Sequence, residues 1–292
     1  MHILSFDIEE WYIEKQFSQG RTKKYKEFDS YLNKILDVLD ENELKATFFC
    51  VGKIAKYFPE VIRRIAVRGH EVGCHSNEHL WLTKMTPNEM LKDTQAAVSA
   101  LEDIWGEKVI SYRAPAFSIG EHNKWTFEIL AECGIKRDAS IYPAVRDFGG
   151  FASFPSDSPV LVAYNGIQMK EFPIALTHLL GKDLAYSGGG YFRFFPLCYI
   201  RYKMSKSPYS IAYFHIGDLI HHKDGLMSRT EYETYFKEKG TLMNRYKRYV
   251  KSTLGTKYAF AKMATLLKEY QFVNLQHADA LIDWNHTPIV HL

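Results

Sequence analysis

Long apolar runs are missing from this 292-residue sequence. None reaches 18 residues, so no transmembrane helix is expected. Cysteine is scarce, and four residues are too few for a disulfide scaffold. Cys50 in ATFFCV and Cys133 in EILAECG sit inside apolar stretches and read as buried thiols of a reducing compartment. Surplus charge is small as well: 37 Lys+Arg against 34 Asp+Glu leave +3, too little to mark a nucleic-acid binder. The opening MHILSFDIEEW has no basic n-region, no apolar core of useful length and no small-residue cleavage site. It is not a signal peptide, and the expectation is a cytoplasmic protein. No glycine-rich phosphate loop follows the first apolar run, so a nucleotide-binding open sheet loses support. Internal repeats and low-complexity segments are absent. What remains, 46% apolar and 24% charged residues, is a globular composition with ample length for a large core.

The first two-fifths alternates strand and helix. Apolar runs at 2–8, 45–51, 70–75, 109–117 and 136–143 read as strands. Phe28, Tyr31, Leu32, Ile35, Leu36 and Leu39 recur at helical spacing, as do Phe58, Val61, Ile62, Ile65 and Ala66. Thr86-Pro87-Asn88-Glu89 announces a capped helix that runs to Gly106, and 125–134 is a helix stopped by glycine. Repeated βα units of unbroken apolar strands imply a parallel sheet covered on both faces, as a barrel or an open doubly wound sheet. From 144 to 210 Gly, Pro, Ser and aromatics dominate, with strand-like runs at 159–164 and 167–175 and a turn plus strand in SGGGYFRFFP (187–196). This reads as an elaboration of one domain spanning 1–292. SIAYFHIGD (210–218) is another core strand, followed by a basic, polar stretch at 219–257, a helix at 258–270 and a last strand at 272–277.

In parallel βα folds the chemistry gathers at the C-terminal ends of strands. Here those ends carry Asp7, Glu9 and Glu10, then His75, Arg113, Asp138 and His215. His75 and His79, four apart in CHSNEH, can chelate one cation on a helical turn. The pair alone is also compatible with two surface histidines. Three carboxylates after an apolar strand need solvent, partners or a metal, unless they only favour a helix N-terminus. Strand alternation puts Asp7 and Glu9 on one side and Glu10 on the other. Arg113, inside an apolar strand, needs a carboxylate, and pairing would hold Asp7 ionised. His215 is either a satisfied core histidine or a proton donor near neutral pH. Together these residues suit metal-assisted hydrolysis: two histidines and one carboxylate leave an open position, Asp7 takes the proton of water, and His215 protonates the leaving amine.

These motifs resemble the NodB-homology polysaccharide deacetylases, carbohydrate esterase family four. SFDIEE is similar to the motif that opens with the base aspartate, HSNEH to the metal motif, YRAPAF to the arginine motif, and AYFHIGD to the motif of the acid histidine. RDASIYP (137–143) sits where the pocket-wall motif falls. The resemblance covers about residues 1–145 and 205–277. It implies a distorted (β/α) barrel of seven strands, a zinc-type divalent cation, and removal of an N-acetyl, less often O-acetyl, group from a sugar. SGGGYFRFFP and KEFPIA further resemble a branch found with exopolysaccharide and capsule assembly. The implied roles are Asp7 base, His215 acid and Arg113 partner of the base. Two departures stand out. Ile8 replaces the second aspartate of the usual pair, which moves the third metal ligand to Glu9, with Glu10 second choice. Ile216-Gly217-Asp218 replaces the Pro-Trp-Glu-like run of the branch.

Sugar rings stack on aromatics, so Trp11, Phe117, Tyr142 and Tyr191 are expected to bind substrate, with Tyr142 standing in for the pocket-wall tryptophan. Pro115 and Asp138 complete that expected set. Gly188-Gly189-Gly190 marks either close substrate approach or a turn. RYKRYVK (245–251) is either a solvated helix face or a surface for anionic headgroups, the latter if the substrate is a lipid-linked saccharide at the inner membrane face. Two rivals stay open: an amidase acting on a small non-sugar amide, and a non-catalytic carbohydrate-binding descendant. Mere binding needs neither base nor acid.

Overall fold

The computed structural model describes residues 1–17, 23–146, 149–179, 181–221, 225–236 and 238–292. The first apolar run forms β1 (His2–Ile8), buried from Ile3 onward. It is followed by β2 (Thr47–Cys50), β3 (Glu71–Cys74), β4 (Ser111–Tyr112) and β5 (Arg137–Asp138), each buried along its whole length. Then come β6 (Val160–Tyr164), β7 (Ile167–Glu171), a separate hairpin of β8 (Leu176–Leu179) and β9 (Lys182–Ala185), β10 (Ser210–His215), β11 (Phe272–Val273) and β12 (Ile289–His291). Seven strands run parallel in the order β10-β1-β2-β3-β4-β5-β7, with β6 antiparallel on β7 and β12 beyond it. This is an α/β fold, a distorted (β/α)7 barrel. Among the described residues β7 and β10 share no ladder. A side chain spans that seam instead: the Tyr209 hydroxyl, just before β10, donates to the Pro173 carbonyl, just past β7, at 2.8 Å.

The helices cover the sheet as their periodicity requires. Helix Tyr25–Glu41 buries Phe28, Leu32, Ile35, Leu36 and Leu39, and helix Pro59–Val67 buries Val61, Ile62 and Ile65. Helix Pro87–Trp105 carries the expected capping box: the Glu89 amide donates to Thr86 Oγ1 and the Thr86 amide to Glu89 Oε2. It ends at Gly106, φ +83°, a conformation that only glycine adopts without strain. None of the described helices is long and apolar enough to cross a membrane.

Strand alternation fills the barrel in layers. Thr47, Glu71, Ser111 and Arg137 form a buried polar floor, in which Glu71 accepts from Thr47 at 2.7 Å, Ser111 at 2.6 Å and Arg137 at 3.1 Å. Helix Leu275–Leu281 closes it from below through the Leu275 amide to Thr47 Oγ1 and the Gln276 amide to Glu71 Oε2. One layer up, Phe49 crosses the barrel. It fits because Gly73 has no side chain; a Cβ there would lie 2.6 Å from the Phe49 ring. Arg113 rests on that ring, its guanidinium carbon 4.3 Å from the centroid. The reactive end begins above this layer.

Several elements differ from the sequence reading. The run 109–117 is a strand only at Ser111–Tyr112, because Pro115 opens a 3₁₀ turn in which Ala116 and Phe117 take φ +56° and +53°. The run 136–143 keeps only Arg137–Asp138 as strand. SGGGYFRFFP holds helix Gly189–Phe194 rather than a strand. Asn274 ends β11 at Val273 by capping helix Leu275–Leu281, its side chain accepting from the His277 amide. The polar stretch 219–257 contains helices Arg229–Phe236 and Leu242–Thr253.

Candidate active site

The parallel register of β1 and β10 sets Asp7 beside His215 at the C-terminal ends of the two strands. Asp7 is 2% exposed and its Oδ1 accepts from Arg113 Nη1 at 2.9 Å. Arg113, 1% exposed, also donates to Ser5 Oγ at 2.8 Å and to the Ala139 carbonyl at 3.1 Å. The buried arginine thus has its carboxylate, and that carboxylate is Asp7. Its free oxygen, Oδ2, lies 3.8 Å from His215 Nε2.

Glu9, one alternation further on, meets both histidines of CHSNEH. Its Oε2 lies 2.5 Å from His79 Nε2 and 3.5 Å from His75 Nε2, and donor atoms of all three residues fall within 4.8 Å of one another. His75 Nδ1 hydrogen-bonds the Arg113 carbonyl at 2.7 Å, which leaves Nε2 for the cluster. The histidines do not share a helical turn, as the i, i+4 spacing suggests. They flank a loop in which Ser76 and His79 take φ +58° and +55°. Asp93 of helix Pro87–Trp105 holds that loop, accepting from the Asn77 and Glu78 amides at 2.7 and 3.2 Å. Two imidazoles with a carboxylate, oriented from behind by a carbonyl, are the donor chemistry of a zinc-type cation. Glu10 turns away: its Oε1 accepts from the Gly217 amide at 2.6 Å. Burial and the neighbouring Glu9 push its carboxyl up to about 7.

His215 Nδ1 lies 2.9 Å from Asp218 Oδ2, so Nε2 faces the cluster. Burial opposes the charge on this imidazole, but Glu9, Asp218 and Asp7 together hold the imidazolium well above its ordinary range. Asp218 in turn sits 3.3 Å from Arg193 Nε, and Arg193 donates to the Ser252 and Lys251 carbonyls at the end of helix Leu242–Thr253. Arg193 and Asp218 were missed as site residues, although both lie in quoted motifs. The i, i+3 spacing of His215 and Asp218 was the available signal.

A cleft of about 560 Å³ opens over Asp7 and His215. Phe117, Tyr142 and Tyr213 pave it, with ring centroids 5.8 Å apart for the first two and 5.1 Å for Phe117 and Tyr213. Tyr191, 40% exposed, stands on its rim. Gly189 and Gly190 also line it, whereas Gly188 is needed for packing, since a Cβ there would lie 2.3 Å from the Tyr213 ring. Three expected substrate residues are placed elsewhere. Trp11 is a core residue, 1% exposed and edge-on to Phe28 at 5.6 Å, with no free face for a sugar. Asp138 is fully buried below the cleft, where it accepts from Ser140, and Ser140 accepts from the Ala114 amide. Pro115 is buried and starts the turn that presents Phe117.

Comparison with known proteins finds similarity in sequence segments and in fold. Residues 17–137 match the polysaccharide deacetylase family model, and 139–279 match a domain of unknown function, DUF3473. The peptidoglycan-N-acetylglucosamine deacetylase of Bacillus cereus is 35% identical over 96 residues, 32% of this chain and 35% of that protein. The peptidoglycan-N-acetylmuramic acid deacetylase PdaC of Bacillus subtilis is 36% identical over 89 residues, 30% of this chain and 19% of that protein. A chitooligosaccharide deacetylase of a Bradyrhizobium strain is 31% identical over 97 residues, 33% and 42% of the two chains. The similarity therefore spans well under half the length of these curated relatives. In fold, the chain resembles a solved candidate polysaccharide deacetylase from Mycobacterium smegmatis, with TM-score 0.61 at 18% identity over 98% of this chain and 91% of that one. It also resembles a CE4 family pseudoenzyme from Bacillus anthracis, with TM-score 0.51 at 16% identity over 95% and 64%.

Proposed function

We propose that this protein is a metal-dependent hydrolase that removes N-acetyl groups, or O-acetyl groups, from a saccharide or lipid-linked saccharide. The observation that carries the reading is the convergence of the Asp7–Arg113 pair, His215 and the Glu9–His75–His79 cluster at one end of the barrel. Glu9, His75 and His79 would hold a divalent cation, with zinc expected from the donor set. When bound, such an ion supplies Lewis-acid charge that acidifies a water and polarises a carbonyl. Asp7, fixed through Arg113, takes the proton of the attacking water with its free oxygen. Water oxygen bonds to the acetyl carbon, the C–N bond breaks, and the electron pair stays on nitrogen. The imidazolium of His215, oriented by Asp218, gives its Nε2 proton to that nitrogen, so acetate and a free amine leave. Tyr191, 40% exposed on the rim, offers its ring to the sugar above the buried floor of Phe117 and Tyr142.

A carbohydrate-binding descendant would need neither Arg113 buried against Asp7 nor His215 held by Asp218. We read 1–292 as one domain with an elaboration at 144–210, because β1 pairs with both β10 and β11 and β12 pairs with β6. The proposed place is the cytoplasm at the inner membrane face, in exopolysaccharide or capsule assembly. Helix Leu242–Thr253 supports membrane contact, with four cations, no acid and no buried residue. The deciding experiment is acetate release from a panel of N-acetylated oligosaccharides, with metal content measured before and after chelation. Bound metal with chelator-sensitive release supports the reading. No metal after reconstitution would sink it.

A further inference from the structure

Arg193, in helix Gly189–Phe194, is 9% exposed, and its guanidinium serves two partners at once. Nε lies 3.3 Å from Asp218 Oδ1. Nη1 and Nη2 donate to the Ser252 and Lys251 carbonyls at 2.5 and 2.8 Å. Those carbonyls belong to the last turn of helix Leu242–Thr253, where carbonyls lack partners within the helix and an arginine can satisfy them. The helix buries none of its residues, so these hydrogen bonds seat its end more than apolar burial does.

Asp218 is gripped at both oxygens. Its Oδ2 meets His215 Nδ1 at 2.9 Å and the His215 amide at 3.2 Å, while Oδ1 faces Arg193. The terminal torsion of an aspartate is soft, and a hold on each oxygen removes that freedom. The imidazole that leans on Asp218 is fixed in turn. The backbone of Arg193 is held as well. Lys262 Nζ donates to the Phe192, Arg193 and Phe195 carbonyls at 2.6, 3.2 and 2.7 Å. Gly255, just past helix Leu242–Thr253, has φ +77° and passes so close that a Cβ there would lie 2.3 Å from the Arg193 carbonyl oxygen. One side chain thus spans from the helix end to the carboxylate that orients His215. A helix cap alone would have no need of Asp218.

We infer that Arg193 is a positioning residue for His215, and that through it the seating of helix Leu242–Thr253 governs proton delivery to the leaving nitrogen. The inference rests on the deacetylase reading and deepens it, since a surface helix then sets the acid half of the chemistry. Lysine would serve only in part, because one ammonium lacks the fork that reaches two carbonyls and a carboxylate.

The test is steady-state acetate release by metal-loaded protein. The substrate is the N-acetylated oligosaccharide of the panel above, chitooligosaccharides included, that wild-type protein turns over fastest. Arg193→Ala should lower kcat about tenfold or more, as misaligned proton transfer does, with KM and metal content near wild type. Arg193→Lys should regain part of the loss. In a His215→Ala background, Arg193→Ala should cost less than about threefold further, because no acid is left to misplace. A purely structural role would subtract the same factor in both backgrounds. Should Arg193→Ala not fold, Arg193→Lys carries the same cycle. Gly255→Ala presses on the Arg193 carbonyl and removes no charge, and it should reproduce both the kcat loss and the non-additivity with His215→Ala. Wild-type kcat in Arg193→Ala or in folded Gly255→Ala, a rise in KM alone, or equal losses in both backgrounds overturns the inference. Failure of the deacetylase reading shows separately, as no acetate release by wild-type protein from any member of the panel.

Discussion

Asp7 and His215 are register partners on adjacent parallel strands, with Asp7 Oδ2 3.8 Å from His215 Nε2. A carboxylate oxygen and an imidazole nitrogen, the proposed base and acid, thus face one space, each held by its own charge: Asp7 by Arg113 at 2.9 Å, His215 by Asp218 at 2.9 Å. The two supports come from opposite directions, β4 and the turn after β10. Each half of the proposed reaction can therefore be perturbed alone.

Asp7→Asn keeps the shape and one acceptor for Arg113 but cannot take a proton. Turnover should fall by about 10²–10⁴-fold or more, with metal content unchanged. Asp7→Ala is different, because it strands a guanidinium that is 1% exposed. It should cost about 3–5 kcal/mol of stability, read by denaturant unfolding. Full activity of Asp7→Asn would remove Asp7 as base.

Glu9 and Glu10 are neighbours with separate fates. Glu9 touches both histidines, whereas Glu10 accepts from Gly217. Glu9→Ala and His75→Ala should therefore lose metal on dialysis, while Glu10→Ala retains it. Elemental analysis of the three variants decides, and metal loss from Glu10→Ala alone would reverse the assignment.

Much of this was legible in the sequence because it depends on local chemistry. An apolar strand that ends in carboxylates places Asp7 and Glu9, a buried arginine demands its acid, and Thr86 with Glu89 writes a helix start. What failed were segments whose conformation is set from outside. SGGGYFRFFP reads as turn and strand by composition, yet it folds as helix Gly189–Phe194 because Gly188 lies against Tyr213 and Lys262 donates to the carbonyls of Phe192 and Phe195. Trp11 looked like a sugar platform until Phe28, in the next helix, covered it. Arg146 carries no motif at all; only the fold brings it to the cleft.

In the proposed reaction Asp218 acts through His215, as a positioning residue. Asp218→Asn should lower kcat by about tenfold or more through misorientation of His215. KM and metal content should stay near wild type, since neither the cluster nor the aromatic floor is touched. A change in KM alone would make Asp218 a binding residue instead.

Below the cleft, Asp138 and Glu171 form a buried carboxyl pair. Burial raises both; Asp138 raises Glu171 further, while the hydrogen bond from Glu171 favours the ionised Asp138, so Glu171 stays protonated well above the usual carboxylate range. Asp138 Oδ2 and Glu171 Oε2 have no other hydrogen-bond partner, which fits a shared proton. The folded state therefore binds more protons than the unfolded one. Stability is fully present below the ordinary glutamate pKa and declines as pH rises towards the raised value. Glu171→Gln supplies an N–H donor at every pH, and should flatten the decline seen in thermal unfolding across that range. An unchanged slope would show that the pair does not share a proton.

Helix Leu242–Thr253 turns Met243, Tyr246 and Val250 to solvent, with Leu254 continuing the row, at spacings of three and four residues. Arg245, Lys247, Arg248 and Lys251 accompany them. An exposed apolar row beside cations is the pattern of an interfacial helix. The protein should cosediment with vesicles containing anionic phospholipid and much less with neutral ones, the difference fading as salt rises. Replacing Tyr246 and Val250 with Ser should weaken sedimentation without touching the cleft, because neither residue lines it. Equal partition to neutral and anionic vesicles would reduce the row to simple apolar adhesion, and no partition to either would return this helix to the solvated face of the barrel.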